Sequence, residues 1–127
     1  MLPRTLAIVA LTLILSLTAH SSRAQVPSSA LDDSLTRLSE ILGALHYLRG
    51  ICESGEGNRW RTEMQALIET EGNTAERKAR MTVAFNRGFR GYQQTYRTCT
   101  AAAGTATRRY LEEGAKLSRE VTARYSN

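Results

Sequence analysis

The 127-residue sequence is short of nearly every residue on which chemistry or covalent structure is usually built. It holds two cysteines, two histidines, two prolines and one tryptophan, and only 6% of it is aromatic. Beyond residue 24 a single histidine remains, His46, so a metal site, which wants three or four Cys, His or carboxylate donors at close spacing, is not expected. Cys52 and Cys99 lie 47 positions apart, which excludes a Cys-x-x-Cys redox dithiol. There is no Gly-x-Ser-x-Gly elbow, phosphate-binding glycine loop, haem-attachment motif or EF-hand, so neither a nucleophilic triad nor a cofactor is expected. The chain is too short for a doubly wound nucleotide fold or a (β/α)8 barrel. No stretch alternates with period two for long enough to make a strand.

What is present begins with an address. Arg4 precedes an uninterrupted apolar and small-residue run, Leu6–Ala19, and Ser22-Arg23-Ala24 sets small residues at the −3 and −1 positions of a cleavage site. That order is the pattern of a secretory signal peptide cleaved after Ala24. The run is shorter than the roughly 20 residues a spanning helix needs, although retention as an anchor is the alternative. No cysteine follows it to be acylated, and no later segment is apolar enough to cross a bilayer. Residues 25–33 are expected to be a flexible tail and residues 34–127 one helical domain. An oxidising compartment, the bacterial periplasm, then makes a Cys52–Cys99 disulfide the expected state of the two sulfurs.

Periodicity beyond the tail is helical. Asp32 and Asp33 supply acidic cap and first-turn chemistry for a helix from about Ser34 to Cys52. Leu31, Leu35, Leu38, Leu42, Leu45 and Cys52 form its stripe, widened by Ile41 and Leu48. Gly55 and Gly57 make a loop, Asn58 caps a helix over Arg59–Glu71 that buries Trp60, Met64, Leu67 and Ile68, and Gly72 ends it at the C′ position. Thr74 caps the next. From there Phe85, Phe89, Tyr92, Tyr96, Cys99, Ala103, Ala106 and Tyr110 repeat at alternating spacings of four and three, an a/d seam. The seam predicts one long helix from Ala75 to about Arg124. A break near Gly104, with a last helix carrying Leu111, Leu117 and Val121, is the alternative. The expected fold is therefore all-α: a small disulfide-stapled bundle of three to four helices. Because a long seam on so small a chain leaves much to bury, a homodimer is expected, with Trp60, Tyr92, Tyr96 and Tyr110 as candidates for a groove or subunit interface.

Charge is divided along the chain. Residues 25–72 carry four Arg and eight acids, whereas residues 73–127 carry eleven Lys and Arg and four Glu. Arg80, Arg87, Arg90 and Arg97 form a stripe opposite the aromatic seam. Guanidinium groups suit carboxylates and phosphates, so this stripe is the candidate site for an anionic partner. A plain solvated helix face, or attraction between the two halves of the chain, would account for it equally. An exported protein rarely meets nucleic acid, which leaves envelope polymers or a periplasmic protein. Glu53 and Glu56 are the pair a glycan hydrolase could use, and His46 reads as a hydrogen-bonded structural residue.

The segments Leu45-His46-Tyr47-Leu48-Arg49, Cys52, Trp60-Arg61, Phe85-Asn86-Arg87-Gly88-Phe89-Arg90 and Tyr96-Arg97-Thr98-Cys99-Thr100 resemble a family of short exported alphaproteobacterial proteins of uncharacterised function. The resemblance covers most of the chain beyond residue 24. It implies a periplasmic location and a link to the cell envelope, extending to wall growth, and it carries over no catalytic residue. The expected function is a non-catalytic envelope protein that binds peptidoglycan or an envelope-assembly partner. A wall-active hydrolase and a purely structural periplasmic scaffold are the alternatives.

Overall fold

A computed structural model describes residues 26–125; the expected export signal and its cleavage site lie outside the described residues. Four helices run in order: α1, Val26–Ile51; α2, Arg59–Glu71; α3, Ala75–Thr95; and α4, Ala101–Tyr125. Among the described residues there is no strand, and no helix is long and apolar enough to cross a membrane. The protein is all-α, with a Cys52–Cys99 disulfide whose Cα atoms are 4.8 Å apart.

The first helix is the hub, and α2, α3 and α4 all pack on it. Leu31, Leu35, Leu38, Ile41, Leu42, Leu45 and Leu48 are all buried along it. Ile41 and Leu48 do more than widen one stripe, because three neighbours cover three sides of this helix and leave almost no apolar position facing water. The helix starts at Val26, well before the expected Ser34. Asp32 and Asp33 therefore sit inside it and cap nothing, and Asp32 turns instead towards α3. Ser39 is fully buried and donates its hydroxyl to the Leu35 carbonyl at 2.7 Å, so burying it leaves no orphaned group.

Two glycines decide how closely α3 lies to this hub. A Cβ at Gly43 would fall 1.9 Å from the Phe85 carbonyl oxygen, and one at Gly88 would fall 2.0 Å from the Glu40 carbonyl oxygen. Backbones in such contact leave no room for a side chain, so these positions need glycine for space. Ala44 and Ala84 complete the small-residue contact, both essentially without exposure. Asp32 meets Arg77, Glu40 meets Arg87 and Tyr47 meets Tyr96, so α3 runs parallel to α1. The loop before α2 and the one before α4 reverse the chain, so α2 and α4 are antiparallel to it.

The expected second helix is found with its stated bounds, and Trp60 and Met64 are buried with Leu67 and Ile68 beside them. Its ends differ from the expectation. Asn58 makes no side-chain cap bond, and Gly72 sits at φ −80°, outside the left-handed region. What Gly72 supplies is space, since a Cβ there would fall 2.6 Å from the Ile68 carbonyl oxygen. Thr74 does cap α3, accepting from the Arg77 amide at 3.1 Å.

The single long helix over 75–124 is not formed; as in the alternative, a separate last helix carries Leu111, Leu117 and Val121, with the break just before Gly104, at Tyr96–Thr100. The chain leaves α3 at Tyr96, which is extended (φ −121°, ψ 121°), and re-enters helix at Ala101, where Thr100 accepts from the Ala103 amide at 3.1 Å. Gly104 lies in the first turn of α4. The seam keeps its phase across this break because both helices turn the same apolar face to the same hub. Cys99 accordingly occupies an exposed loop rather than a helical seam, and its disulfide ties that loop to the end of α1. The Tyr47 hydroxyl adds a second tie by donating to the Tyr96 carbonyl.

Two outcomes follow for stability. Gly43→Ala and Gly88→Ala each lower it by about 1–3 kcal/mol or more, as overpacking does. Gly91→Ala, where nothing lies within 4 Å of the new Cβ, raises it by about 0.5–1 kcal/mol through helix propensity. Urea unfolding of the three variants against the parent checks both signs. Replacing both cysteines by alanine removes a 47-residue loop closure, for an expected loss of about 4 kcal/mol in the chain-entropy account, read by the same titration.

Candidate interaction surface

The close approach of α3 brings basic residues against the acids of the hub. Asp32 accepts from Arg77 at 2.6 Å and from Arg80 at 3.1 Å, and Glu40 accepts from Arg87 at 3.3 Å. Half of the expected arginine stripe is therefore engaged within the chain: Arg80 and Arg87 lie on the flank of α3 facing α1. Both stay half-exposed, at 50% and 57%, where such pairs contribute no more than about 1 kcal/mol.

Arg90 and Arg97 are different. They are exposed, and among the described residues neither makes an ion pair. Arg97 belongs to the disulfide-tied loop and Arg90 to the last part of α3 before it. The topology brings Arg61 from the start of α2 and Arg108 and Arg109 from the first half of α4 to the same end of the bundle. This disulfide end collects guanidinium groups. The opposite end, where α2 finishes and α3 starts, carries exposed Asp33, Glu69 and Glu76.

The tyrosines of the seam make one internal cluster. Tyr92 stacks with Tyr96 at 5.9 Å and meets Tyr110 edge-on at 5.5 Å, and the two hydroxyls of Tyr92 and Tyr110 are 2.9 Å apart. Burial, followed by that hydrogen bond, raises the Tyr92 pKa above its ordinary value, so the phenol stays protonated. Arg37 lies over the Tyr110 ring at 5.6 Å and grips Glu113 through two bonds of 2.7 and 2.9 Å. The two-pronged bond from Arg37 holds Glu113 ionised by lowering its pKa. This cluster links α1, α3 and α4.

Glu56 is the hinge of a second polar assembly. It takes two bonds of 2.7 Å from Arg49 and one of 2.8 Å from the Trp60 indole, with Arg59 at 3.6 Å and stacked 5.0 Å over the Trp60 ring. These contacts fix a loop that carries three left-handed residues, Glu53 (φ 48°), Gly55 (φ 73°) and Gly57 (φ 44°). Arg49 first, then Trp60, hold the Glu56 carboxyl down to about 2, which makes it a poor proton donor. Glu53 is exposed beside it.

His46 packs between Phe85 and Phe89 at 5.9 and 5.6 Å. Contrary to the expected hydrogen-bonded residue, its Nδ1 is buried with no partner. Burial, then the nearby Arg61 charge, lowers its pKa, so it is neutral at pH 7. Among the described residues no group of three or more His, Cys, Asp and Glu is placed to hold a metal ion.

Two of the four residues expected at a groove or interface, Trp60 and Tyr110, do line a groove, although its place in the fold was not foreseen. The backbones of α2 and α4 do not meet, and between them this groove of about 370 Å³ runs over buried residues of α1. Leu38, Ile41, Leu42 and Leu45 floor it, Trp60 and Leu67 wall it on α2, and Leu111 and Ala115 wall it on α4. Gly114 allows α4 to approach, since a Cβ there would already sit 3.3 Å from Ile41. The available signal was the spacing of Leu111, Ala115, Ser118 and Thr122, which is hidden because three of the four residues are small or polar.

The architecture and the surface together define a disulfide-clasped four-helix protein with a hub helix, a basic end and an apolar side groove. A family model described as "Protein of unknown function (DUF2385)" matches residues 30–125, and the chain belongs to that family. No curated protein and no solved structure matches it.

The Glu56 assembly has a pH signature. A carboxyl depressed from 4.5 to about 2 stabilises the fold at neutral pH, and that contribution is lost as pH falls from about 4.5 towards 2. Glu56→Gln should be less stable than the parent at pH 7, with the difference shrinking towards pH 2. Urea midpoints across that range check it.

Proposed function

We propose that this chain is a non-catalytic protein of the bacterial cell envelope, exported to the periplasm, which binds an anionic wall polymer or an envelope-assembly partner at its disulfide end. The observation that carries this reading is the fate of the arginines. Internal pairing engages Arg77, Arg80 and Arg87, and five of the cations without an ion pair among the described residues, Arg61, Arg90, Arg97, Arg108 and Arg109, gather at one end of the bundle, against Lys78 and Arg119 towards the other. A concentrated field of one sign raises the local concentration of anionic partners and speeds their capture. Peptidoglycan stem peptides present free carboxylates of the kind a guanidinium binds through two parallel bonds. The disulfide supports an oxidising compartment, and the N-terminal apolar run supports export.

The hydrolase alternative asks Glu53 and Glu56 to work as acid and base. Glu56 is occupied by Arg49 and Trp60 and held ionised, which favours a structural part for it. A purely structural scaffold differs from the favoured reading in its partner alone, a protein in place of a polymer.

Co-sedimentation of the purified protein with isolated wall sacculi tests the proposal. The expected result is salt-sensitive binding, reduced about tenfold by Arg90→Ala with Arg97→Ala and little changed by Arg80→Ala with Arg87→Ala. Parent protein that stays in the supernatant, or binding that survives loss of Arg90 and Arg97, would contradict the wall-binding version. Release of soluble muropeptides, abolished by Glu53→Gln, would replace it with the hydrolase.

A further inference from the structure

The groove between α2 and α4 is an unfinished part of the core. Its floor is the hub helix itself, and Leu111 on its rim is 37% exposed although it stands beside Leu42 and Leu45 in the lining. On the groove side of α4, Leu111, Ala115, Ser118 and Thr122 recur at spacings of four, three and four, the a/d pattern of a helix that packs against another helix. The cleft continues past Leu38 and Leu67 towards Thr70 and Val121, so it is elongated along the bundle axis and suits a helix. We infer that a second copy of this chain fills it, with α4 of each subunit lying antiparallel in the groove of the other.

The argument for this occupant is that the charge along the ridge is self-complementary. Glu112 and Arg119 lie seven residues apart on the outer flank of the ridge, and among the described residues neither has an ion-pair partner in its own chain. In an antiparallel helix pair, residues at e positions face e positions of the partner. Setting Leu111 over the partner's Thr122 and Ala115 over the partner's Ser118 brings Glu112 against the partner's Arg119. The two-fold axis then repeats the match, so one contact generates a closed pair. Each Leu111 enters the lower part of the other subunit's cleft, near Leu38 and Leu67. Parallel pairing would instead set Glu112 against the partner's Thr107 and Arg119 against the partner's Gly114, leaving both charges without an opposite number. Of the residues expected at an interface, Trp60 and Tyr110 line this groove, whereas Tyr92 and Tyr96 stack on each other outside it.

Sedimentation-velocity runs on the purified protein over a range of concentrations test the pairing, with helical circular dichroism as the control for folding. The parent is expected as a dimer, and Leu111→Glu as a monomer of unchanged helicity, since Leu111 lies outside the buried core of its own chain. Glu112→Arg and Arg119→Glu should each weaken the dimer about tenfold, because each turns two attractive contacts into repulsive ones. The double variant exchanges the signs across the axis and should restore the parent affinity, a rescue that no effect on folding of one chain mimics. Photo-crosslinking in cells from position 111 should give an adduct of twice the chain mass. A parent that is monomeric throughout, a double variant no better than either single one, or an adduct with a different protein would each overturn the inference.

Discussion

Everything in this molecule is positioned by one backbone contact, the meeting of α1 and α3 across Gly43 and Gly88. Helices packed through ordinary side chains lie about 8–10 Å apart. Here a Cβ at either glycine would fall about 2 Å from a carbonyl oxygen of the facing helix, so the two backbones themselves touch and gain many weak contacts over a short length. The same approach carries Asp32 and Glu40 within reach of Arg77, Arg80 and Arg87. The parallel direction it fixes obliges α2 to run back along the hub, and α4 to do so after the disulfide-tied loop.

The disulfide, the Tyr47–Tyr96 bond and the Arg49–Glu56–Trp60 assembly all lie at the end of the bundle where two of the three interhelical connections turn. That end is covalently and electrostatically fastened, and it also holds five arginines that make no ion pair among the described residues, Arg61, Arg90, Arg97, Arg108 and Arg109. A rigid cationic surface loses little side-chain and loop freedom on meeting a partner, which favours affinity. The fold thus combines its strongest constraint and its strongest field in one place, and the proposed binding surface rests on both.

Much of this was legible in the residues. The leucine spacing of α1, the bounds of α2 and the Thr74 cap could be read from local patterns, because each depends on neighbours close in sequence, and the cysteine pairing from the export signal and the count of two. The break at Tyr96–Thr100 was hidden, since a seam in constant phase looks the same whether one helix carries it or two helices share a hub. The need for glycine at position 88 was hidden, because the carbonyl of Glu40 that demands it lies 48 positions away. The arginine stripe was visible, but its division into internal partners and free cations depended on the α1–α3 distance. The place of the groove had no sequence signal strong enough to announce it, as Ala115, Ser118 and Thr122 do not look like a lining.

The account stands on the contact at Gly88, and proton NMR can observe it without altering the chain. Nuclear Overhauser cross-peaks from the Gly88 α-protons to Glu40 and to the Ala44 amide are predicted, with intensities of protons in van der Waals contact. Absence of those peaks, with Gly88 seeing only side-chain protons of α1, would mean that the helices stand a side chain apart and would contradict the arrangement described.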